Sequence, residues 1–288
     1  MIVPEIAVNN HILAIASAFF GALSNILAKT ILKDVTAKDI LGVNFLIMTG
    51  IMALLSPAFF EINGSLSVVI PLVVLISVVD FFANYFFFKS FEKSDVSVVT
   101  PMLALAPGFT FLFAWLFLGE SVTWMQLILS IGVVAGIVAF SADFSKLRES
   151  LDNTLLPAIT ASLLFGFSAI PSKYLLSHGM MNAPTLYELR GAIIGLSAIM
   201  IFGSGINQLT ASHFRKILVR GVFVIVQWLL LYFALTNGKS GVTLTLGNIT
   251  PIFVFLLGVL FLKESITKKK LAAALSVLIL SLLVIKPS

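Results

Sequence analysis

Long apolar stretches follow one another along the whole chain, separated by only a few polar or charged residues. A helix that crosses a bilayer needs about 20 predominantly apolar residues, and the pattern predicts ten such spans. The predicted spans cover residues 11–32, 39–60, 67–88, 96–118, 122–142, 155–177, 184–203, 214–235, 242–262 and 270–285. Runs such as IPLVVLISVV (70–79) lack the alternation of a membrane β-barrel strand. The pattern therefore predicts an all-α polytopic membrane protein.

The composition excludes an ordinary soluble domain. Of the 288 residues, 59% are hydrophobic and 11% charged, whereas soluble domains have about 45–50% and about 25%. No loop is long enough to hold a separate soluble domain.

The absence of Cys excludes disulfides and thiolate chemistry. The first 28 residues contain no Lys or Arg, so they lack the basic region of a cleavable signal peptide, and we expect the first span to be retained.

The Lys and Arg residues concentrate in alternate loops. The odd-numbered loops hold 14 of the 18, a count that includes Arg220 in the seventh loop. The other four are Lys173 and Lys239, counted with the even-numbered loops, Lys286 at the C-terminus, and Arg190 inside a span. Because cytoplasmic loops carry the excess of Lys and Arg, we expect a plasma-membrane protein with both termini on the extracytoplasmic side. The scattered basic residues do not form a nucleic-acid-binding face.

A repeat divides the chain into halves. LFLGES (116–121) returns as LFLKES (260–265), and a shift of 144 residues matches eight of the thirteen positions in 111–123 and aligns Pro107 with Pro251. We predict two five-helix repeats, residues 1–145 and 146–288. Because five is odd, a segment and its copy cross the membrane in opposite directions. Inverted repeats of this kind are typical of transporters with a midplane site and alternating access.

Residues 97–140 and 241–285 resemble the paired EamA-type domains of the drug/metabolite transporter superfamily. The shared features are small and hydroxyl residues leading into a helix with a mid-span Pro and a Leu-Gly-Glu turn at its end. Arg190 fits the arginine often found in the second helix of each half, where the first half offers Asn44. The resemblance implies ten helices and transport, without a cofactor. It leaves the substrate open among amino acids, other metabolites, drugs, nucleotide sugars and phosphorylated sugars.

Two spans carry polar groups at similar depth. Asp80 lies thirteen residues into the third span, with Asn84 one turn further on the same face and Tyr85 beside it. The matching part of the eighth span offers Gln227, Trp228 and Tyr232. A charge at mid-span is costly and usually faces a partner or a watery cavity. We expect Asp80 to line a central cavity, where it could carry a proton or bind a substrate ammonium; the alternative is a structural pair with Lys or Arg.

Three further residues complete the predicted substrate site, and two prolines are predicted to kink their helices. Arg190 could bind a substrate carboxylate or phosphate, pair with Asp80 across the halves, or extend to the membrane surface. Asn25 and Asn248 lie within the first and ninth spans. Pro107 and Pro251 should kink their helices, because proline removes a backbone hydrogen bond.

An enzyme and a lipid carrier are the alternatives to a metabolite transporter. His11, His178 and His213 all lie at span ends, and the sequence has no HExxH, paired catalytic aspartates or Gly-rich phosphate loop. No metal site is therefore expected. A lipid-carrier flippase would favour a groove open to lipid. The interpretation that we carry forward is a secondary-active exporter of a small polar metabolite, such as an amino acid, amine or drug, with protons as candidate coupling ions and a monomer or homodimer as the assembly.

Overall fold

The computed structural model describes residues 9–93, 99, 102–103, 105–121, 123–141, 155–262, 279 and 283. Its regular elements are helices α1 (Asn10–Ile31), α2 (Ala37–Leu55), α3 (Leu66–Lys93), α4 (Ala106–Phe113), α5 (Trp124–Ser141), α6 (Leu155–Ser177), α7 (Ala183–Phe202), α8 (Ala211–Asn237), α9 (Ser240–Gly247) and α10 (Thr250–Leu262). Within the described residues, six helices are long and apolar enough to cross a membrane: α1, α2, α3, α6, α7 and α8. The all-helical class and the multi-pass membrane architecture are confirmed. The predicted tenth span lies outside the described residues, except for Ile279 and Leu283.

Polar side chains fix the helix starts between the apolar stretches. Asn182 accepts a hydrogen bond from the Thr185 amide at 2.9 Å, which caps α7. Its side-chain amide also donates to the Phe59 carbonyl at 2.6 Å, so the start of α7 is tied to the chain that follows α2. Such a cap supplies a partner for an amide that has none within the helix. The loops at this end of the bundle are therefore held in register with the helices.

The first three helices of each half pack mainly against helices of the other half. The most extensive helix contacts join α1 to α8, α3 to α6, and α2 to α7. Thus the first helix of each half meets the third helix of the other, and the second helices meet each other. α4 packs on α6 and α9, while α1 packs on both α9 and α10. The core of the protein consequently lies between the halves.

Two lysines make the same contact in the two halves. The Lys29 ammonium of α1 donates to the Phe91 carbonyl near the end of α3, at 2.9 Å. The Lys173 ammonium of α6 donates to the Gly238 carbonyl directly after α8. These lysines are 144 residues apart, which is the shift of the sequence repeat. In each half, therefore, the first helix binds the end of the third through a lysine.

The predicted ninth span is interrupted. α9 ends at Gly247 and α10 begins at Thr250, with Asn248 and Ile249 between them. Pro251 occupies the first turn of α10, and Pro107 the first turn of α4. A proline in the first turn loses no intrahelical hydrogen bond, because the amides there have no helical acceptor. Continuous helices with a central kink were expected; the structure instead has helix segments that start at the prolines.

Arg220 corrects the sequence interpretation. It was counted among the loop cations, but α8 begins at Ala211, three residues before the predicted span, and Arg220 is its tenth residue. Only 5% of the Arg220 surface is exposed. The assignment to the seventh loop was wrong because Arg215, Lys216 and Arg220 were treated as one basic group, whereas helical geometry separates them. Arg215 is exposed and Arg220 is buried.

Candidate functional site

A cavity of about 140 Å³ lies between the halves, lined from α1, α2, α3, α4, α6, α8, α9 and α10. Many of the lining side chains are polar and uncharged, although apolar atoms supply most of the wall. The lining amides are those of Asn25, Asn44, Asn84, Gln227 and Asn248, and the lining hydroxyls are those of Ser17, Ser24, Ser168, Ser172 and Thr250. Aromatic groups of Phe45, Phe87, Phe165, Trp228 and Tyr232 complete much of the remainder. Such a mixture of apolar walls with a few polar groups is typical of small-molecule sites.

Asp80 and Arg190 form a buried ion pair behind this wall. The Arg190 Nη1 atom donates to Asp80 Oδ2 at 2.8 Å, and the two side chains are 1% and 0% exposed. The pair joins α3 of the first half to α7 of the second. Neither residue lines the cavity. The sequence left open whether Asp80 and Arg190 face the cavity or pair with each other across the halves. In the structure they form the pair.

Aromatic rings separate the ion pair from the cavity. The Arg190 guanidinium carbon lies 4.4 Å from the Trp228 ring centroid, 5.4 Å from that of Tyr187 and 5.6 Å from that of Tyr232. Trp228 and Tyr232 also line the cavity. A cation over an aromatic face is attracted by the ring quadrupole. A ligand that displaces Trp228 or Tyr232 would therefore act directly on the ion pair.

The pairing restricts what Asp80 can do in this conformation. A buried carboxylate next to a guanidinium is held by both charge and a hydrogen bond. Removing either partner leaves the other charge buried and uncompensated, which is strongly unfavourable. For Asp80 to carry a proton or bind a substrate ammonium, Arg190 would first need another anion.

Three of the predicted amides differ in how much of their hydrogen-bonding capacity is used. The Asn84 side chain donates to the Asp80 carbonyl at 2.8 Å, one turn back along α3. The Gln227 Oε1 atom accepts from the Ser24 hydroxyl at 3.2 Å, which joins α8 to α1. Asn25 lies on the cavity wall without a hydrogen bond from its side chain to another described residue. The free amide of Asn25 is available to a ligand.

The helix interruption contributes to the cavity wall. Asn248 follows α9, and its side-chain amide donates to the Leu244 carbonyl at 2.9 Å. Next to it, the Thr250 hydroxyl donates to the Ala18 carbonyl of α1 at 3.2 Å. Asn248, Thr250 and Pro251 all line the cavity, whereas Pro107 does not. Irregular backbone at membrane depth is tolerated where it faces a polar cavity.

Tyr85 faces away from the cavity. Its ring stacks on Phe202 of α7 with centroids 5.2 Å apart, and the Lys89 ammonium lies 5.6 Å from the Tyr85 centroid. Successive residues on an α-helix point about 100° apart. Asn84 can therefore line the cavity while its neighbour packs against another helix.

Arg220 is the site residue that the sequence analysis missed. Among the described residues it is the one charged side chain that lines the cavity. Its Nη1 atom donates to Asn44 Oδ1 at 2.5 Å, and its guanidinium carbon lies 5.1 Å from the Phe88 ring centroid. Its Nε atom has no hydrogen-bond partner in the described part of the chain. No carboxylate of a described residue lies within ion-pair distance of Arg220. A buried charge in a membrane span normally has a partner or faces a functional cavity.

A signal for Arg220 was present in the sequence. The cavity-lining residues of α8 are Arg220, Val224, Gln227, Trp228, Leu231, Tyr232 and Leu235. They recur at intervals of three and four residues, which is the spacing of one helix face. Arg220 lies seven residues before Gln227, two turns back on that face. The positions of Gln227, Trp228 and Tyr232 therefore indicated Arg220 as a further residue of the same helix face.

The Leu-Gly-Glu turn closes one end of the bundle. Gly119 adopts a left-handed conformation with φ of 62°, which favours glycine, at the end of the fourth span. The next residue, Glu120, accepts hydrogen bonds from the Ser240 amide at 2.9 Å and the Ser240 hydroxyl at 2.7 Å. The Lys173 ammonium lies 3.8 Å from the same carboxylate. This turn of the first half thus binds the start of α9 and the end of α6 in the second.

Apolar helices around a cavity with polar and apolar lining groups define the class as a multi-pass membrane protein, and comparison with known proteins identifies a family of transporters. The family model described as "EamA-like transporter family" matches residues 9–142 and again 153–286. The chain belongs to the EamA-like transporter family, which is part of the drug/metabolite transporter superfamily.

A solved crystal structure of another protein has the same fold. It superposes with a TM-score of 0.74 over 96% of both chains at 14% sequence identity. At that identity the likeness concerns the fold alone. None of the curated proteins compared with this sequence matches it.

Proposed function

We propose that this protein is a secondary-active exporter of a small polar metabolite, such as an amino acid or a related amine or drug. The observation that supports this most directly is the polar cavity, because its walls come from both halves of the chain. Relative motion of the halves would open such a cavity to one side of the membrane and then to the other. The proposed site comprises the cavity-lining residues and the Asp80–Arg190 pair behind them.

We propose that the halves, residues 1–145 and 146–288, are inverted repeats. The reciprocal packing of first and third helices supports this arrangement, since α1 meets α8 as α3 meets α6. The equivalent lysine contacts of Lys29 and Lys173 support it too. Two halves of similar structure and opposite orientation provide two conformations of comparable free energy, which alternating access requires.

The proposed location is the plasma membrane with both termini on the extracytoplasmic side. With Arg220 removed from the seventh loop, the odd-numbered loops still hold 13 of the Lys and Arg residues, against three (Lys173, Lys239 and Lys286) counted on the other side of the membrane. The bias of basic residues therefore supports the same orientation. Ser121 and Ser265 are equivalent positions of the repeat, and the chain has no Cys. A single cysteine at Ser121 should react with an impermeant maleimide in intact cells, and one at Ser265 only after permeabilisation; the reverse pattern would contradict this orientation.

Protons are the proposed coupling ions, with Asp80 as their carrier. Because Asp80 is paired in the present conformation, this mechanism requires the Asp80–Arg190 contact to open during the transport cycle. Substrate movement of Trp228 and Tyr232, which contact Arg190, offers a physical route to that opening.

Proteoliposomes with an imposed pH gradient test this function. The purified protein should transport one class among labelled amino acids, amines and nucleosides with saturation, and collapse of the gradient should abolish accumulation. Folded Asp80→Asn protein should lose the pH dependence. Transport and pH dependence that both survive in Asp80→Asn would exclude Asp80 as the carrier. Movement of a labelled lipid carrier instead of soluble compounds would favour the flippase alternative.

A further inference from the structure

We propose that Arg220 binds a carboxylate of the transported substrate, which makes the substrate class carboxylate-bearing small molecules such as amino acids rather than cationic amines. This proposal rests on the proposed transport function and narrows its substrate. It starts from the charge of the cavity. The Asp80–Arg190 pair is neutral as a unit and lies behind the wall, so Arg220 is the one lining charge among the described residues.

The Arg220 guanidinium lines the cavity and retains hydrogen-bond donors that a carboxylate could use. Nη1 donates to Asn44, while Nε has no hydrogen-bond partner among the residues that the structure describes, although only 5% of Arg220 is exposed. A guanidinium presents its donors as a planar fork that matches the two oxygens of a carboxylate. The Asn44 contact holds the fork in place before a ligand arrives. Little side-chain freedom is then lost on binding.

The number of charges favours a carboxylate over a phosphate ester. A carboxylate brings one negative charge, which Arg220 balances. A phosphate monoester brings about one and a half to two negative charges at neutral pH, and the other lining groups among the described residues are uncharged. An amine without a carboxylate would place a second cation beside Arg220, and like charges repel strongly where water is scarce.

The remaining cavity wall suits the rest of such a substrate, which is either uncharged or carries an ammonium group. The Asn25 side-chain amide has no hydrogen bond to another described residue, and its oxygen and the Asn248 oxygen could accept from a substrate ammonium. Trp228 offers an aromatic face on the same helix as Arg220. An amino acid could therefore have its carboxylate on Arg220 and its other groups toward α1 and α9.

Transport by wild-type protein in proteoliposomes provides the test. The probes are the labelled standard amino acids and propionate, with competition by the matching primary amides, by propylamine and by glycerol phosphate. At least one carboxylate should be transported with saturation, and its amide should compete about tenfold more weakly or worse, since charged hydrogen bonds are being removed. Competition by propylamine or glycerol phosphate that equals that of the carboxylate would overturn the assignment.

Variants of the site sharpen the test. Arg220→Gln should raise the half-saturating concentration for the carboxylate by about tenfold or more, and Arg220→Lys should keep part of the affinity. Arg215→Gln, an exposed arginine on the same helix, is the control and should leave transport unchanged. Unaltered carboxylate transport in folded Arg220→Gln protein would contradict the proposal.

A second variant covers the case in which Arg220→Gln does not fold. Asn44→Asp keeps the shape of the residue that contacts Arg220 and supplies an internal carboxylate. It should fold and bind the substrate carboxylate more weakly than wild type by at least about tenfold; undiminished affinity would show that the Arg220 charge is not used for the substrate. Saturable transport of amines alone would refute this proposal and leave the transport function standing. If no probe of any class were transported, the proposed function itself would be contradicted.

Discussion

The two buried arginines of this protein have nearly the same exposure and opposite surroundings. Arg190 on α7 is 1% exposed and bonds to the Asp80 carboxylate, whereas Arg220 on α8 is 5% exposed and bonds to the neutral Asn44 amide. Asn44 lies in the second helix of the first half, at the place where the second half has Arg190. The difference shows that the protein neutralises one buried cation internally and leaves the other on a cavity wall. The first is suited to holding helices together and the second to binding a ligand.

The largest expected effect comes from breaking the internal pair. Asp80→Asn leaves Arg190 buried without an anion and should lower the free energy of unfolding by about 3–5 kcal/mol. Thermal unfolding of the purified protein in detergent, followed by tryptophan fluorescence, measures the loss. Asp39→Asn, at the start of α2, is a control at a helix cap and should cost about 1 kcal/mol. A loss of similar size in both variants would show that the Asp80–Arg190 pair contributes no more to stability than the helix cap does.

The double variant separates pairing from the general cost of substitution. Arg190→Gln alone should destabilise the protein about as much as Asp80→Asn, because it leaves the carboxylate unpaired. Combining the two removes both charges, so the double variant should be more stable than the sum of the single losses predicts, by about 2–3 kcal/mol. The same unfolding measurement completes the cycle. Strict additivity would refute the coupling.

The aromatic wall should contribute a smaller amount. Trp228→Leu removes the ring that lies 4.4 Å from the Arg190 guanidinium, and a desolvated contact of this kind is worth about 2 kcal/mol. Trp124, which is 80% exposed, provides the matched control, and Trp124→Leu should change stability by less than about 0.5 kcal/mol. Chemical unfolding midpoints of the two leucine variants report the difference. Equal midpoints would argue against a role for the ring in supporting Arg190.

Arg220→Gln should have the smallest effect on stability. Its charge has no carboxylate partner among the described residues, so the substitution removes a cost of desolvation together with one hydrogen bond to Asn44. The net change in the free energy of unfolding should be below about 1 kcal/mol. A loss comparable with that of Asp80→Asn would mean that Arg220 is mainly structural. In that case the contrast between the two arginines would disappear.

Much of the fold was predictable from the sequence because membrane spans follow from long apolar runs. The sixth predicted span, 155–177, has the same bounds as α6. The interruption of the ninth span was missed, since Asn248 and Ile249 differ little from a continuous apolar helix in composition. Helix breaks depend on contacts with other helices, such as the hydrogen bond from the Thr250 hydroxyl to the Ala18 carbonyl of α1. Such contacts join residues that are distant in sequence.

The candidate-site residues that share one helix face were predictable, but which neighbours face elsewhere and which helices meet were not. Gln227, Trp228 and Tyr232 were proposed for the eighth span, and all three line the cavity. Tyr85 was grouped with Asn84 by adjacency, although neighbours on a helix point in different directions. The distance between Asp80 and Arg190 depends on how α3 and α7 pack, which no local pattern contains. For such a pair, the sequence offers alternatives and the packing selects one.

The reciprocal packing of the halves has a consequence for how the protein is made. α1 ends at Ile31, and its main partner α8 begins at Ala211, which is 180 residues later. At roughly 5–20 residues per second, the ribosome needs about 10 to 35 s to synthesise the intervening chain. During that time the polar groups of α1, including Ser24 and Asn25, have no access to Gln227 or the finished cavity. The newly inserted first half must wait in the bilayer, or beside the insertion machinery, until the second half arrives.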